Sequence, residues 1–315
     1  MKSGIISLGE ALIDFIPMSA ENIQYQKSPG GAPANVAVGA SRLGSRVTFL
    51  GKVGNDSLGA FLKETLAGYG VHTDGMILSR DYRTNIVMVT LGEDGERNFE
   101  FFIQPSADQM LEISEINESL FEKHHVLHFG SISMIQEPVK QATEHAVRLA
   151  KQKGMKISFD PNLRMSLWPS KEQAKETIIS MLDQVDVLKI SEEELAFITG
   201  EQDIEAGIQA MRTYDIPLLF VTLGGEGSYI VMEDEVGRVP AMKVNAVDTT
   251  GAGDAFVSGV LHSINQYEGD LRNLSMEEAK DMAEFASVSG ALAASTKGAM
   301  TALPTSEQVQ QYLSE

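Results

Sequence analysis

Val247-Asp248-Thr249-Thr250-Gly251-Ala252-Gly253-Asp254-Ala255-Phe256 places small residues after a predicted strand region and at the start of a helix that runs to about Asn265. Without bulky Cβ groups, the backbone N–H groups of Gly251, Ala252 and Gly253 can approach an anion, and the helix dipole favours negative charge there. Asp254 then sits in the first turn, beside that anion. A carboxylate next to an anion is unfavourable unless it takes up a proton during a reaction, which is the task of a general base. The other reading is a Gly-rich turn in which Asp254 is an ordinary acid at a helix start. Under either reading a strand, a Gly turn and a helix follow one another, the repeating unit of an α/β fold.

The same rhythm runs along the chain. Short apolar runs at 5–9, 47–52, 126–129, 156–160, 187–190 and 218–223 read as strands of a largely parallel sheet. Amphipathic stretches near 34–43, 57–69, 138–153, 171–183, 191–199, 254–265, 276–295 and 306–313 read as helices. Two segments break the alternation. Residues 11–25 and 84–102 read as strands without intervening helices, and Glu93-Asp94-Gly95-Glu96 marks a hairpin turn in the second. Antiparallel strands inserted in an α/β chain form a small projecting sheet, suited to act as a lid. The expectation is one domain, 1–315, with a lid from discontinuous insertions at about 11–28 and 84–104.

Composition narrows the partners. The chain carries 25 Lys+Arg against 44 Asp+Glu, a net charge of −19. That balance argues against nucleic acid or an anionic membrane, because phosphate backbones need clustered cations. It leaves nucleotide ligands open, since a helix N-terminus holds phosphate on an acidic protein. There is no cysteine, which removes disulfides, thiolate metal sites and a Cys nucleophile. Glu10 and Asp14 interrupt the apolar start of the chain, which reads as a cytoplasmic protein without a signal peptide.

Gly30-Gly31-Ala32-Pro33-Ala34-Asn35 forms a second constellation. The glycines allow close backbone approach to a small polar ligand, and Asn35 would project from the first turns of a helix. The plainer reading is a tight turn before a Pro-started helix. His124, His125 and His128 flank a buried strand without an acidic ligand at useful spacing and read as core histidines. The 15 Met residues read as core filler and Trp168 as packing.

Taken together, GGAPANVAVGASRLGSRVTFLGKVGND and DTTGAGDAF resemble the two signature regions of the ribokinase–fructokinase (PfkB-type) carbohydrate kinases. Between them, Asp160-Pro161-Asn162-Leu163-Arg164, Lys189-Ile190-Ser191-Glu192-Glu193-Glu194 and Thr222-Leu223-Gly224-Gly225-Glu226-Gly227 follow in the family's order. The resemblance spans the chain, and the D-P-N-L-R and S-x-x-E runs are similar to the fructokinase branch. It implies a ribokinase-like three-layer α/β/α sandwich with a small β-sheet lid, and transfer of the ATP γ-phosphoryl group to a sugar hydroxyl. Asp254 matches the catalytic base, and Gly251, Ala252 and Gly253 match the anion hole. Arg164 matches an arginine near the sugar and the transferred group. Asp14, Gly30, Gly31 and Asn35 match sugar contacts, joined by Arg97 and Phe99 on the lid. Thr222, Gly224 and Gly227 match the nucleotide loop, with Ser287 near the adenine. Glu194 matches the acid that organises Mg²⁺ water ligands, while Asp248 and Thr250 resemble monovalent-cation positions. The resemblance thus implies ATP, Mg²⁺ and a small-molecule sugar, and leaves a K⁺ site and a homodimer through the lid open. Ser191 stands where many relatives have Asn, and Ala302 where potassium-binding relatives offer a hydroxyl.

The chain lacks G-x-x-x-x-G-K-S/T, a G-x-G-x-x-G after its first strand, G-x-S-x-G and H-E-x-x-H. P-loop kinases, dinucleotide-binding oxidoreductases and the common hydrolases are thereby disfavoured. D-fructose is the expected acceptor. The alternatives are 2-keto-3-deoxygluconate kinase, ribokinase, and a non-catalytic sugar sensor of the same fold, which would have no use for Asp254.

Overall fold

The computed structural model describes residues 2–92, 97–233 and 235–314. Its strands are β1 (Ile5–Leu8), β2 (Leu12–Pro17), β3 (Tyr25–Gly30), β4 (Val47–Gly54), β5 (His72–Ser79), β6 (Ile86–Leu91), β7 (Arg97–Phe101), β8 (Val126–Gly130), β9 (Lys156–Asp160), β10 (Val187–Ser191), β11 (Leu218–Thr222), β12 (Ser228–Val231) and β13 (Val236–Val239). Its helices are α1 (Ala32–Arg42), α2 (Ser57–Gly68), α3 (Val139–Gln152), α4 (Lys171–Ile179), α5 (Glu192–Thr199), α6 (Ile204–Met211), α7 (Ala252–Gln266), α8 (Met276–Ala294) and α9 (Ser306–Leu313).

One sheet has the order β13-β12-β11-β10-β9-β8-β1-β4-β5. From β5 to β11 the strands run parallel, and β12 and β13 close the edge antiparallel. Successive side chains alternate between two cores, as the two-residue period of a strand requires. Val187, Leu218 and Phe220 pack with α1, α7 and α8 through Val36, Val260 and Ala283. Leu188, Ile190, Leu219 and Val221 pack with α3, α4, α5 and α6 through Ala146, Ala174, Leu195 and Ile208. Both faces are covered, which is why these strands read as largely apolar runs. The result is the expected three-layer sandwich.

A second sheet has the order β3-β2-β6-β7. β2 pairs antiparallel with β3, Asp14 opposite Ser28, while β6 pairs parallel with β2 and antiparallel with β7. Leu12, Val87 and Val89 are buried together with Phe101 against them. Both inserted strand regions are therefore joined, with β3 reaching Gly30 rather than ending near 28. The expected hairpin turn at 93–96 and the Arg97 side chain lie outside the described residues.

One reading needs correction. No strand immediately precedes the Gly251 turn: β13 ends at Val239, and 240–250 has no regular element apart from turns and bends. β5, β12, β13 and α6 had no sequence expectation, being short or half-exposed and polar on one face. Among the described residues no helix is long and apolar enough to cross a membrane.

Candidate active site

Asn162, just past the carboxyl end of β9, and Lys189 on β10 share one cleft with Gly251, Gly253 and Asp254 at the start of α7, near the carboxyl edge where open α/β folds bind ligands. Asp160 ends β9 and is 3% exposed. Asn162 follows in the left-handed region, φ 44°, which Asn tolerates better than most residues. Its N–H donates to Asp160 Oδ1 at 3.1 Å, and its side-chain Nδ2 donates to Asp254 Oδ1 at 3.4 Å. From the other side Asn35, in the first turn of α1, donates through Nδ2 to Asp254 Oδ2 at 2.8 Å. The carboxylate is held between two amides.

Gly251 makes this placement possible. It starts α7 with φ 78°, a conformation that strains a residue with a Cβ. Asp254 falls three residues on and is buried. Burial pushes its carboxyl up to about 6, the Asn35 bond opposes the rise, and the Asp160 charge adds to it. An acid of that strength is ionised at neutral pH yet close enough to take up a proton, the compromise general-base catalysis favours.

Lys189 on β10 supplies the cation. Its Nζ lies 3.2 Å from Asp160 Oδ2, and its side chain is 12% exposed. Burial pulls the ammonium down, but Asp160, Glu194 and Asp254 outweigh that and hold it above the ordinary lysine range. A cleft of about 620 Å³ opens here, lined by Lys189, Asn162, Arg164, Phe99, Asp248, Thr250, Gly251, Gly253 and Asp254. Arg164 is exposed, as is Phe99 on β7, so both can meet a ligand.

Of the remaining expected positions, Asp14, Gly30, Gly31, Asn35, Thr222, Gly224, Gly227 and Glu194 do not line that cleft. A Cβ at Gly30 would lie 2.1 Å from Asp14 Oδ2, so Asp14 rests directly on the Gly30 backbone. Burial pushes Asp14 up to about 6. Gly31, φ 100°, has no room for a Cβ either, because Glu10 O would be 2.5 Å away. Thr222 ends β11 opposite Ser191 and donates to Ile190 O at 3.3 Å, and Gly224 and Gly227 turn the chain beyond it with positive φ. Ser287 on α8 is half-buried and does not line the cleft. It lies one turn before Gly290, whose Cβ position is 3.1 Å from Ala252 O.

Glu194 is buried in the first turn of α5. Its Oε2 accepts the Ser191 N–H at 2.8 Å and its Oε1 accepts the Leu163 N–H at 2.7 Å, while its own N–H donates to Ser191 Oγ at 3.2 Å. Ser191, the departure from the commoner Asn, thus serves as a helix cap. Asp248 Oδ1 accepts the Thr250 N–H at 3.1 Å and Oδ2 the Gly298 N–H at 3.3 Å, which ties the cleft loop to the end of α8. The Ala252 N–H donates back to Thr249 O at 3.2 Å, so in this structure it belongs to the turn rather than to an anion hole.

Lys189, Asp160 and Asn162 were quoted in the sequence runs without a role. His124, His128 and Trp168 sit as structure: His124 bonds Thr48 and Leu120 O, His128 bonds Ser158, and Trp168 is 6% exposed in the core, while His125 is half-buried.

Comparison with known proteins gives this site its context. A family model described as pfkB family carbohydrate kinase matches residues 2–306. Fructokinase-1 of Oryza sativa subsp. japonica is 43% identical over 312 residues, 97% of this chain and 96% of that protein. A fructokinase from Vibrio cholerae O395, solved with fructose, ADP and a calcium ion, has a TM-score of 0.91 and 40% identity, covering 99% of each chain. A fructokinase from Xylella fastidiosa with bound ATP has a TM-score of 0.91 and 34% identity over 100% of each chain. The ribokinase-like sandwich and its small second sheet are shared with these enzymes, and the chain belongs to the pfkB family of carbohydrate kinases.

Proposed function

We propose that the chain is a cytoplasmic, ATP-dependent fructokinase, built as one kinase domain with the small sheet as its lid. The observation that carries the mechanism is Asp254, clamped by Asn35 and Asn162 at the start of α7 and faced by Lys189. The sugar lies between the lid and Gly30, held by Asp14, Gly30, Gly31 and Asn35, with Arg97 and Phe99 closing over it. One sugar hydroxyl gives its proton to Asp254 as its oxygen bonds the γ-phosphorus. The bond to the β–γ bridging oxygen breaks and ADP leaves. The N–H groups of Gly251 and Gly253 at the α7 start, with Lys189 and Arg164, stabilise charge on the phosphoryl oxygens.

The residues fit the implied ions. Glu194 offers carboxylate oxygens of the hard type Mg²⁺ prefers, and both already accept backbone N–H groups, which suits contact through water. When bound, Mg²⁺ neutralises nucleotide phosphate charge. Asp248, Thr250 and adjacent carbonyls are oxygen donors for K⁺, which would brace the 248–251 loop, while Ala302 contributes no hydroxyl. The nucleotide base would run past Thr222, Gly224 and Gly227 toward Ser287, and the cytoplasm supplies its ATP.

Fructose as acceptor rests on the named relatives. A coupled ADP assay over D-fructose, ribose, adenosine and 2-keto-3-deoxygluconate is expected to give fructose the highest kcat/KM by about tenfold or more, roughly 1.4 kcal/mol of transition-state discrimination. Preference for another of these compounds refutes the fructose assignment and keeps the kinase; no turnover of any favours a sugar sensor. Repeating the assay in potassium and in a bulky organic cation reads the cation site, and equal rates remove it.

The lid leaves Met18 65% and Ile23 75% exposed at the end of its β2–β3 hairpin. Two copies joined through the lid would cover such surface, so sedimentation should give the mass of two chains. The mass of one chain rejects that pairing.

A further inference from the structure

The four roots of the lid meet at a buried polar cluster. Glu10 lies between β1 and β2, Ala32 follows β3, Asn85 precedes β6, and Asp108 follows β7. Glu10 is 4% exposed, Asn85 3% and Asp108 8%. Backbone bonds stitch the roots together: Ile13 N–H donates to Asn85 O at 3.0 Å and Ala107 N–H to Arg83 O at 2.8 Å. Glu10 ties the β1–β2 link to the start of α1, its Oε1 accepting the Ala32 N–H at 3.0 Å. Asp108 Oδ1 and Asn85 Oδ1 are buried with no hydrogen-bond partner among the described residues.

We propose that Glu10 is a positioning residue: its buried carboxyl, bonded to the Ala32 N–H, fixes the root of the lid at the start of α1 and with it the helical turn from which Asn35 holds Asp254. The proposal rests on Asp254 being the base. Ala32 is the first residue of α1, and the Asn35 N–H donates to Gly31 O at 2.8 Å in the same turn. The Asn35 side chain then reaches Asp254 at 2.8 Å. Losing the acceptor at Ala32 therefore loosens a turn that carries a sugar contact and a partner of the base.

The protonation state supports this. Burial pushes Glu10 up to about 8 and Asp108 up to about 6, and the charges of Asp108 and Asp254 add to the rise at Glu10. Asp108, on the turn after β7, and Asp254, on α7, are the charged groups Glu10 feels; Lys189 and Arg164 act on Asp254 instead. At neutral pH Glu10 thus carries a proton and adds no negative charge beside Asp108. Ionising Glu10 adds a like charge to the pair and pushes the roots apart.

Wild type, Glu10→Ala and Glu10→Gln are compared with ATP and the sugar the wild type uses best, from neutral pH to about 9.5, with thermal melts of each. Glu10→Ala should raise sugar KM and lower kcat by about tenfold or more each, with ATP KM within about threefold, as expected when a reacting geometry is loosened. Glu10→Gln keeps an acceptor and no charge and should stay within about threefold of wild type. Wild-type sugar KM should climb above about pH 8, whereas Glu10→Gln stays flat. An unaffected Glu10→Ala, a Glu10→Gln as impaired as Glu10→Ala, or an unchanged alkaline rise in Glu10→Gln overturns the proposal. If Glu10→Ala does not fold, the Glu10→Gln profile decides.

Amide exchange at Ala32 and Asn35 needs no turnover. Protection should fall in Glu10→Ala and persist in Glu10→Gln, and equal protection in all three proteins overturns the proposal. Failure of the fructokinase reading shows separately, in the wild type's own choice of sugar.

Discussion

Asp254→Asn should lower kcat by about 10²–10⁴-fold, the usual worth of a positioned base. The substitution keeps the size of the side chain and removes its basicity. An amide at this position can accept from one of Asn35 and Asn162 but not from both, so some stability is lost, on the order of 1 kcal/mol for one hydrogen bond. ATP affinity should hold or improve, because a negative charge near the triphosphate has gone. Wild-type kcat at saturating sugar should fall as pH drops through about 6, since burial raises the Asp254 pKa to that value and the base must be ionised to act. The acid limb should vanish in the variant. Saturating sugar matters, because Asp14 is also pushed up to about 6 and would weaken sugar binding over the same range. If kcat stays within about threefold while ATP binding weakens, well short of that factor, Asp254 is only a helix-start acid.

Lys189→Met should cost about 10²–10³-fold in kcat, the loss seen when one preorganised charge stabiliser is removed. It should also destabilise the fold, because Asp160 is 3% exposed and would be left as an unpaired buried carboxylate. Breaking a buried ion pair in this way costs about 3–5 kcal/mol. The two effects separate in a double variant. Lys189→Met with Asp160→Asn should recover most of the melting temperature, since the orphaned charge is gone, yet remain slow. Recovery of kcat together with stability would make Lys189 a structural counter-ion to Asp160 and nothing more.

Much of the architecture was legible because strands buried on both faces leave largely apolar runs: Leu218-Leu219-Phe220-Val221 needed only its hydrophobicity to be found. Strands β12 and β13 escaped because each is only four residues long, and β13, at the sheet edge, alternates exposed and buried positions. The small sheet could be anticipated from strand patterns without helices between them, but not that β2 and β6 pair in parallel, which depends on positions far apart in the chain.

The site divides in the same way. Gly251 and Asp254 are adjacent in sequence, so the turn, the helix start and the acid could be read together. Lys189 could not, because a lysine within Val187-Leu188-Lys189-Ile190 gains meaning only when β9 brings Asp160 to its side. Asn162 and Glu10 carry the same kind of hidden information, since their partners Asp254 and Ala32 lie in other elements. The Ala252 N–H illustrates the limit of pattern reading at short range, where a turn bond to Thr249 O decides the direction of a donor.

Phosphorus NMR of a reaction containing the chain, D-fructose, ATP and Mg²⁺ tests the central claim most directly. The account predicts one sugar phosphate monoester formed for each ADP released, with neither accumulating when fructose is left out. ADP released with inorganic phosphate in place of a sugar ester, or at the same rate without fructose, would contradict it.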